Sequence, residues 1–197
     1  MSEPYIVSHV GRDISIVSQR MQPNPKPGIL AIDPGLSTGW ALLRGDGTGP
    51  LNSRVVCAGV LTGEKGDQPH DRLMGLIGAM ARGAIVGRFA FEESSAFAGG
   101  FTNLLPIELG GVIKAVARIN GIEVRGMAPN SVKSYMGSGK LKKKGVKDAV
   151  MNIFPDLPTT FRPPNSKRPI LIPPHFFDAI AVGLASLMRD GCPRDWR

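Results

Sequence analysis

The chain has 197 residues, 42% of them hydrophobic, which suits one α/β domain with an added arm. Its charge is +8, from 24 Lys and Arg against 16 Asp and Glu, which favours a polyanionic partner, most simply nucleic acid, over a merely basic soluble protein. No apolar run approaches the roughly 20 residues of a membrane span, no basic-then-apolar leader is visible, and Cys57 and Cys192 make neither a metal spacing nor a disulfide framework. No membrane partner and a reducing cytoplasm are the expectations.

Residues 1–27 read as an arm or linker, with a brief alternation at Ile14 and Ile16 before the extended run Gln22-Pro23-Asn24-Pro25-Lys26-Pro27. The main domain is expected over 28–190, followed by a tail over 191–197. It opens on Gly28 to Leu43, which reads as strand, tight turn and strand. Leu30 and Ile32, then Trp40 and Leu42, alternate as period-2 strands require, and Pro34-Gly35 and Gly39 supply the turn. A third strand is expected over 54–61, which makes an antiparallel meander.

A helix follows over about 70–85, with Leu73, Leu76, Ile77 and Met80 on one face. Arg88-Phe89-Ala90-Phe91-Glu92-Glu93 reads as a fourth, two-faced strand ending in carboxylates. Residues 94–103 are a Gly-rich loop carrying Phe97 and Phe101, which either stack on bases or pack back on the core. A helix over about 103–119 ends at Gly121, and 122–127 is a fifth strand. Asn130 is expected to cap a short helix, 131–135.

Lys133, Lys140, Lys142, Lys143, Lys144 and Lys147 form the densest positive charge in the chain, interleaved with glycines that let backbone approach a phosphate. Gly139-Lys140 is not a P-loop. Leu141 stands where Ser or Thr is needed, and Ser134 where the earlier Gly is needed. A helix over about 145–154 leads to a basic loop, 155–174, with seven prolines. The last helix starts just after Pro173-Pro174 and runs to about Met188. Its first turn puts His175 and Asp178 on one face.

The chemistry-bearing residues are therefore two strand-end acids and a His/Asp pair at a helix mouth. Asp33 closes an apolar strand, where a lone buried carboxylate is costly, so it wants a cation unless it is merely a turn residue. Glu92 and Glu93 are either a second such acid or a solvated strand end. His175 alone would be a capping or core histidine, but with Asp178 it suits a divalent metal. Asp33, one of Glu92 and Glu93, His175 and Asp178 together can hold two divalent cations, which clamp the attacking and leaving oxygens of a phosphodiester.

Ile32-Asp33-Pro34-Gly35 with Thr38-Gly39-Trp40-Ala41-Leu42 resembles the opening of RuvC-type Holliday junction resolvases, in the ribonuclease H-like superfamily. The likeness continues in order through Phe89-Ala90-Phe91-Glu92, Leu109-Gly110-Gly111-Val112, Ala128-Pro129-Asn130-Ser131-Val132-Lys133 and His175-Phe176-Phe177-Asp178-Ala179-Ile180-Ala181-Val182. It spans roughly residues 28 to 188. The first segment alone is shared with actin-like ATPases; the ordered set is specific.

The resemblance implies a five-stranded mixed sheet, an antiparallel meander then parallel strands, flanked by helices. It also implies a homodimer that nicks two opposed strands of a four-way DNA junction with magnesium, or manganese in its place, at two ions per active site and without a nucleotide cofactor. Carried over by position, Asp33, Glu92, His175 and Asp178 are the metal ligands and the catalytic set, with Glu93 the alternative to Glu92. Lys133 and one of Lys142 to Lys144 match DNA-contact lysines. The aromatic residue the family places three after the Glu is Ser95 here, so Phe97 or Phe101 takes over base stacking. The arm and the proline-rich loop look like additions, which points to a phage or mobile-element relative acting in a bacterial or phage-infected cell.

Three other readings stay open. A nuclease for flaps or RNA–DNA hybrids would share the fold. A junction-binding module would lack catalysis. An actin-like ATPase would need a second copy of the domain, and the chain shows none.

Overall fold

A computed structural model describes residues 5–10, 13–18, 27–45, 53–63, 66–82, 86–94, 104–162 and 167–189. Phe97, Phe101 and the tail 191–197 lie outside them. The described strands are β1 (Tyr5–Val10), β2 (Asp13–Ser18), β3 (Gly28–Asp33), β4 (Thr38–Arg44), β5 (Arg54–Leu61), β6 (Val86–Glu92), β7 (Glu123–Met127), β8 (Thr160–Phe161) and β9 (Ile170–Leu171). The helices are α1 (Pro69–Arg82), α2 (Leu105–Ile119), α3 (Pro129–Tyr135), α4 (Lys143–Ile153) and α5 (Pro174–Arg189).

The five expected strands form one mixed sheet flanked by helices. β3, β4 and β5 are an antiparallel meander, and β6 and β7 run parallel to β3. The arm adds to this sheet. β1 and β2 form an antiparallel hairpin, and β2 pairs with β5, so the order is β1-β2-β5-β4-β3-β6-β7. The short alternation at Ile14 and Ile16 is the part of β2 that pairs with Val60 and Ala58. A hairpin is marginal alone and gains its stability from a neighbouring strand, so local pattern understates it.

Side-chain alternation splits the core into two layers. Leu30 and Ile32 of β3 with Phe89 and Phe91 of β6 bury one face against α1 and α2, through Leu73, Ile77, Leu109 and Ile113. Ile29, Ala31 and Ala90 bury the other face against α3, α4 and α5. The small residues on this second face let α5 lie close. A Cβ on Gly183 would come 2.6 Å from Leu43 Cδ1 and 3.0 Å from Ala31 Cβ. α5 is apolar almost all round, as a helix sunk between a sheet and other helices must be.

Three local expectations need correction. Asn130 does not cap α3. Pro129 occupies the first turn with its φ already set, Ala128 is the capping position, and Asn130 lies inside the helix. α4 begins at Lys143 rather than Gly145, so Lys143 and Lys144 are in its first turn and Lys142 is at its cap. The proline-rich stretch also contains the β8–β9 hairpin. At the end of α2 the left-handed Gly121 (φ 63°) reverses the chain, and the Ile122 N–H donates to the Ala117 carbonyl at 2.9 Å.

Candidate metal centre and nucleic-acid interface

Parity on two parallel strands builds the first half of the site. Asp33 follows Ala31 on the α5 face of β3, and Glu92 follows Ala90 on the α5 face of β6. Ile32 pairs with Phe91 in register, so the two acids end adjacent strands at the same edge. Glu93, one residue on, falls on the other face. It pairs there with Lys114 of α2, whose ammonium also lies 5.6 Å from the Phe91 ring centre.

The second half comes from the first turn of α5, which meets the sheet at Gly39. A Cβ on Gly39 would lie 1.9 Å from the His175 carbonyl oxygen. Only glycine at this position lets the helix start against β4. This contact sets His175 Nδ1 2.7 Å from Asp33 Oδ2. Among the described residues, Asp33, His175 and Asp178 each offer a ligand atom, all within 4.8 Å of one another. Glu92 stands outside that tight group but interacts electrostatically with Asp33 and Asp178 across the same edge.

The electrostatics show a crowded anionic site. The Asp33 and Asp178 side chains are only 13% and 16% exposed. Burial, then the negative charges of Asp33 and Asp178, pushes the Glu92 carboxyl up to about 7, against the pull of Lys133 and Lys143. Burial and Asp33 likewise push Asp178 up to about 6, with Lys143, His175 and Lys133 opposing. The hydrogen bond to Asp33 raises His175 above its ordinary value, and burial opposes it. Groups that hold protons so firmly lack enough positive charge around them. Carboxylates with one imidazole are donors that suit Mg²⁺ or Mn²⁺, so the residues fit a divalent cation.

Positive charge gathers at the rim. Lys143 Nζ is 3.9 Å from Asp178 Oδ2, with a side chain 66% exposed, so the pair is loose. The first turn of α4 carries Lys143 and Lys144 with Lys142 at its cap, and no acidic residue. Cations at a helix N-terminus oppose the helix dipole, and the same arrangement attracts an anion strongly. Lys140, Lys142 and Lys144 are exposed, and Lys133 is half-buried beside the acids. Lys147 is different: its ammonium lies 4.9 Å from the Phe177 ring centre.

Sequence reading missed two supports of this edge. Arg72 of α1 donates from Nη2 to the Leu36 carbonyl at 3.1 Å, and Thr38 Oγ1 donates to the Gly35 carbonyl at 2.9 Å. Together they fix the turn that carries Asp33. The Thr hydroxyl two residues beyond Pro-Gly-Leu was a readable signal; Arg72, far away in sequence, gave none.

The structure is similar to the Thermus thermophilus RuvC structure, with a TM-score of 0.63 and 20% identity over 82% of this chain and 95% of that one. The fold is that of RuvC. A second similar structure is T. thermophilus RuvC in complex with Holliday junction substrate, with a TM-score of 0.59 and 19% identity over 82% of this chain and 94% of that one. No protein-family model and no curated protein matches the chain. Among the described residues, no helix is long and apolar enough to cross a membrane. The RuvC fold thus carries, at one edge of its sheet, an acidic cluster rimmed by lysines.

Proposed function

We propose that the protein is a metal-dependent, structure-selective DNA endonuclease that resolves four-way junctions by paired nicking as a homodimer. The observation that carries this reading is the meeting of Asp33, Glu92, His175 and Asp178 at one sheet edge beside the lysine-rich start of α4. The RuvC fold and its junction-bound neighbour support the choice of substrate.

Asp33, Glu92, His175 and Asp178 would hold Mg²⁺ or Mn²⁺, two ions per site. When bound, such cations polarise the scissile phosphate and acidify water. The chain's own part is to present these donors from rigid elements. His175 Nδ1 and Asp33 Oδ2 are held by one hydrogen bond, and His175 would serve as a ligand through a ring nitrogen that carries no proton. Lys133 and Lys143 limit the excess negative charge and, with Lys140, Lys142 and Lys144, hold the DNA backbone. Asp33, Glu92, His175 and Asp178 form the catalytic set, and Phe97 or Phe101 stacks on bases at the branch. The protein acts in the cytoplasm of a bacterial or phage-infected cell.

The test is a panel of end-labelled substrates with Mg²⁺ and then Mn²⁺: a four-way junction, a flap, an RNA–DNA hybrid and linear duplex. Preferred cutting of the junction supports the reading. Cutting of flaps or hybrids but not junctions keeps the nuclease and changes its substrate. Tight junction binding with no cutting by either metal leaves a binding module.

A further inference from the structure

The β8–β9 hairpin stands beside the acidic edge and has an unusual surface. Its base is anchored. Leu157, Phe161 and Ile172 are buried in the same core layer as Phe176 and Phe177 of α5, and the Ile172 N–H donates to the Thr159 carbonyl at 3.0 Å. Its outer side carries two apolar side chains in solvent, Ile170 at 44% and Leu171 at 70% exposure. Exposed Arg162, Lys167 and Arg168 belong to the connection between the two strands.

His175 is four positions after Leu171, so chain length alone keeps their backbones within about 14 Å. DNA rises about 3.4 Å per nucleotide along one strand. A strand whose phosphate reaches His175 has nucleotides within reach of Leu171 about four positions from that phosphate. An anchored, exposed apolar strand beside a group of cations fits a nucleic acid better than a protein face. The cations meet phosphates, and apolar wedges of Leu or Ile enter between base steps at a cost of a few kcal/mol per step. A four-way junction offers such weakened steps at its branch point.

We infer that the β8–β9 hairpin is a wedge for branched DNA: Leu171, backed by Ile170, enters an opened base step near the cleaved phosphate, while Arg162 and Lys167 hold the backbone beside it. This inference rests on the junction-nuclease reading. It adds a specificity-determining element to that site, one that acts on the branch point rather than on the reacting phosphate.

The test uses the full chain carrying Asp33→Asn, which is expected to bind without cutting. 2-Aminopurine is placed singly within five nucleotides of the cut in a four-way junction. The expected result is a several-fold fluorescence rise at one position on binding. That rise falls at least threefold in Ile170→Ser/Leu171→Ser, whose melting temperature stays unchanged because both side chains are exposed. With Asp33 restored, the same double variant cuts an intact junction at least tenfold more slowly and recovers on a junction whose step is already mismatched.

Unchanged fluorescence in the double variant, with junction binding and cutting intact, overturns the wedge and leaves the nuclease reading standing. A change of oligomeric state in the double variant without a fluorescence change assigns the patch to protein contact and also overturns it. No junction binding by the parent overturns both.

Discussion

His175 Nδ1 and Asp33 Oδ2 are 2.7 Å apart although they lie 142 positions apart in the chain. The contact joins the end of the first sheet strand to the first turn of the last helix, and Gly39 makes it possible. Gly39→Ala would force a methyl carbon onto the His175 backbone, and neither β4 nor α5 can yield cheaply. The expected cost is about 1–3 kcal/mol or more. Chemical denaturation should show it, together with loss of metal-dependent cleavage, because His175 is displaced from Asp33.

Glu92 and Glu93 should separate cleanly by function. Glu92 faces Asp33 and Asp178, whereas Glu93 is paired with Lys114 on the opposite face. Glu92→Gln is expected to lower the cleavage rate at least a hundredfold. Glu93→Gln should leave it within about threefold and cost under about 1 kcal/mol of stability, as for exposed ion pairs. Single-turnover cleavage and thermal melts check both. Equal losses from the two variants would contradict the assignment.

The metal-free protein should lose stability as pH rises from about 5 to 8. Glu92 is raised from 4.5 to about 7 and Asp178 from 3.8 to about 6, so the folded state binds more protons than the unfolded chain in this window. Stability then falls with rising pH. His175, raised by Asp33, acts in the same direction: its contribution is present at low pH and is lost as pH rises through its folded value. Each tenfold gain in proton affinity on folding is worth about 1.4 kcal/mol at most, and roughly 2–4 °C follows each kcal/mol in a chain of this size. Calorimetry in chelator should show the fall. Mg²⁺ or Mn²⁺ should reverse it at pH 8 and do little at pH 5, and Glu92→Gln should flatten it. A melting temperature that rises with pH in chelator would sink this account.

The lysines should differ in salt dependence. Each lysine that contacts a phosphate contributes about 0.9 to the slope of log K against log salt. Lys142→Ala, Lys143→Ala and Lys144→Ala should each lower the slope by up to that amount in junction-binding titrations. Lys147→Ala should lower it less, because its ammonium is turned over Phe177.

Much of this architecture was legible in the sequence because it rests on parity and spacing. Phe89 and Phe91 against Ala90 and Glu92 already marked two faces, and the same count puts Asp33 with Ala31. His175 and Asp178, three apart after Pro173-Pro174, could only share a helix face. What was not legible depends on distant partners or opposes local rules. β2 forms against β5, 40 or more residues away, and β1 forms against β2. α4 starts on lysines that the helix dipole disfavours, so its first turn read as loop. The β8–β9 hairpin has two residues in each strand, too few for any alternation to show. Gly39 looked like a turn residue, and only the packed α5 shows that it is a clearance.

The most direct test of paired incision is a supercoiled plasmid that extrudes a cruciform, treated with the protein and Mg²⁺. Two opposed sites cutting within one bound complex convert the plasmid straight to linear molecules, whereas a single site yields open circles. The account predicts linear product from the wild type and none from Asp33→Asn, which should still shift a junction in a gel. Open circles alone, or cutting that survives in Asp33→Asn, would contradict it.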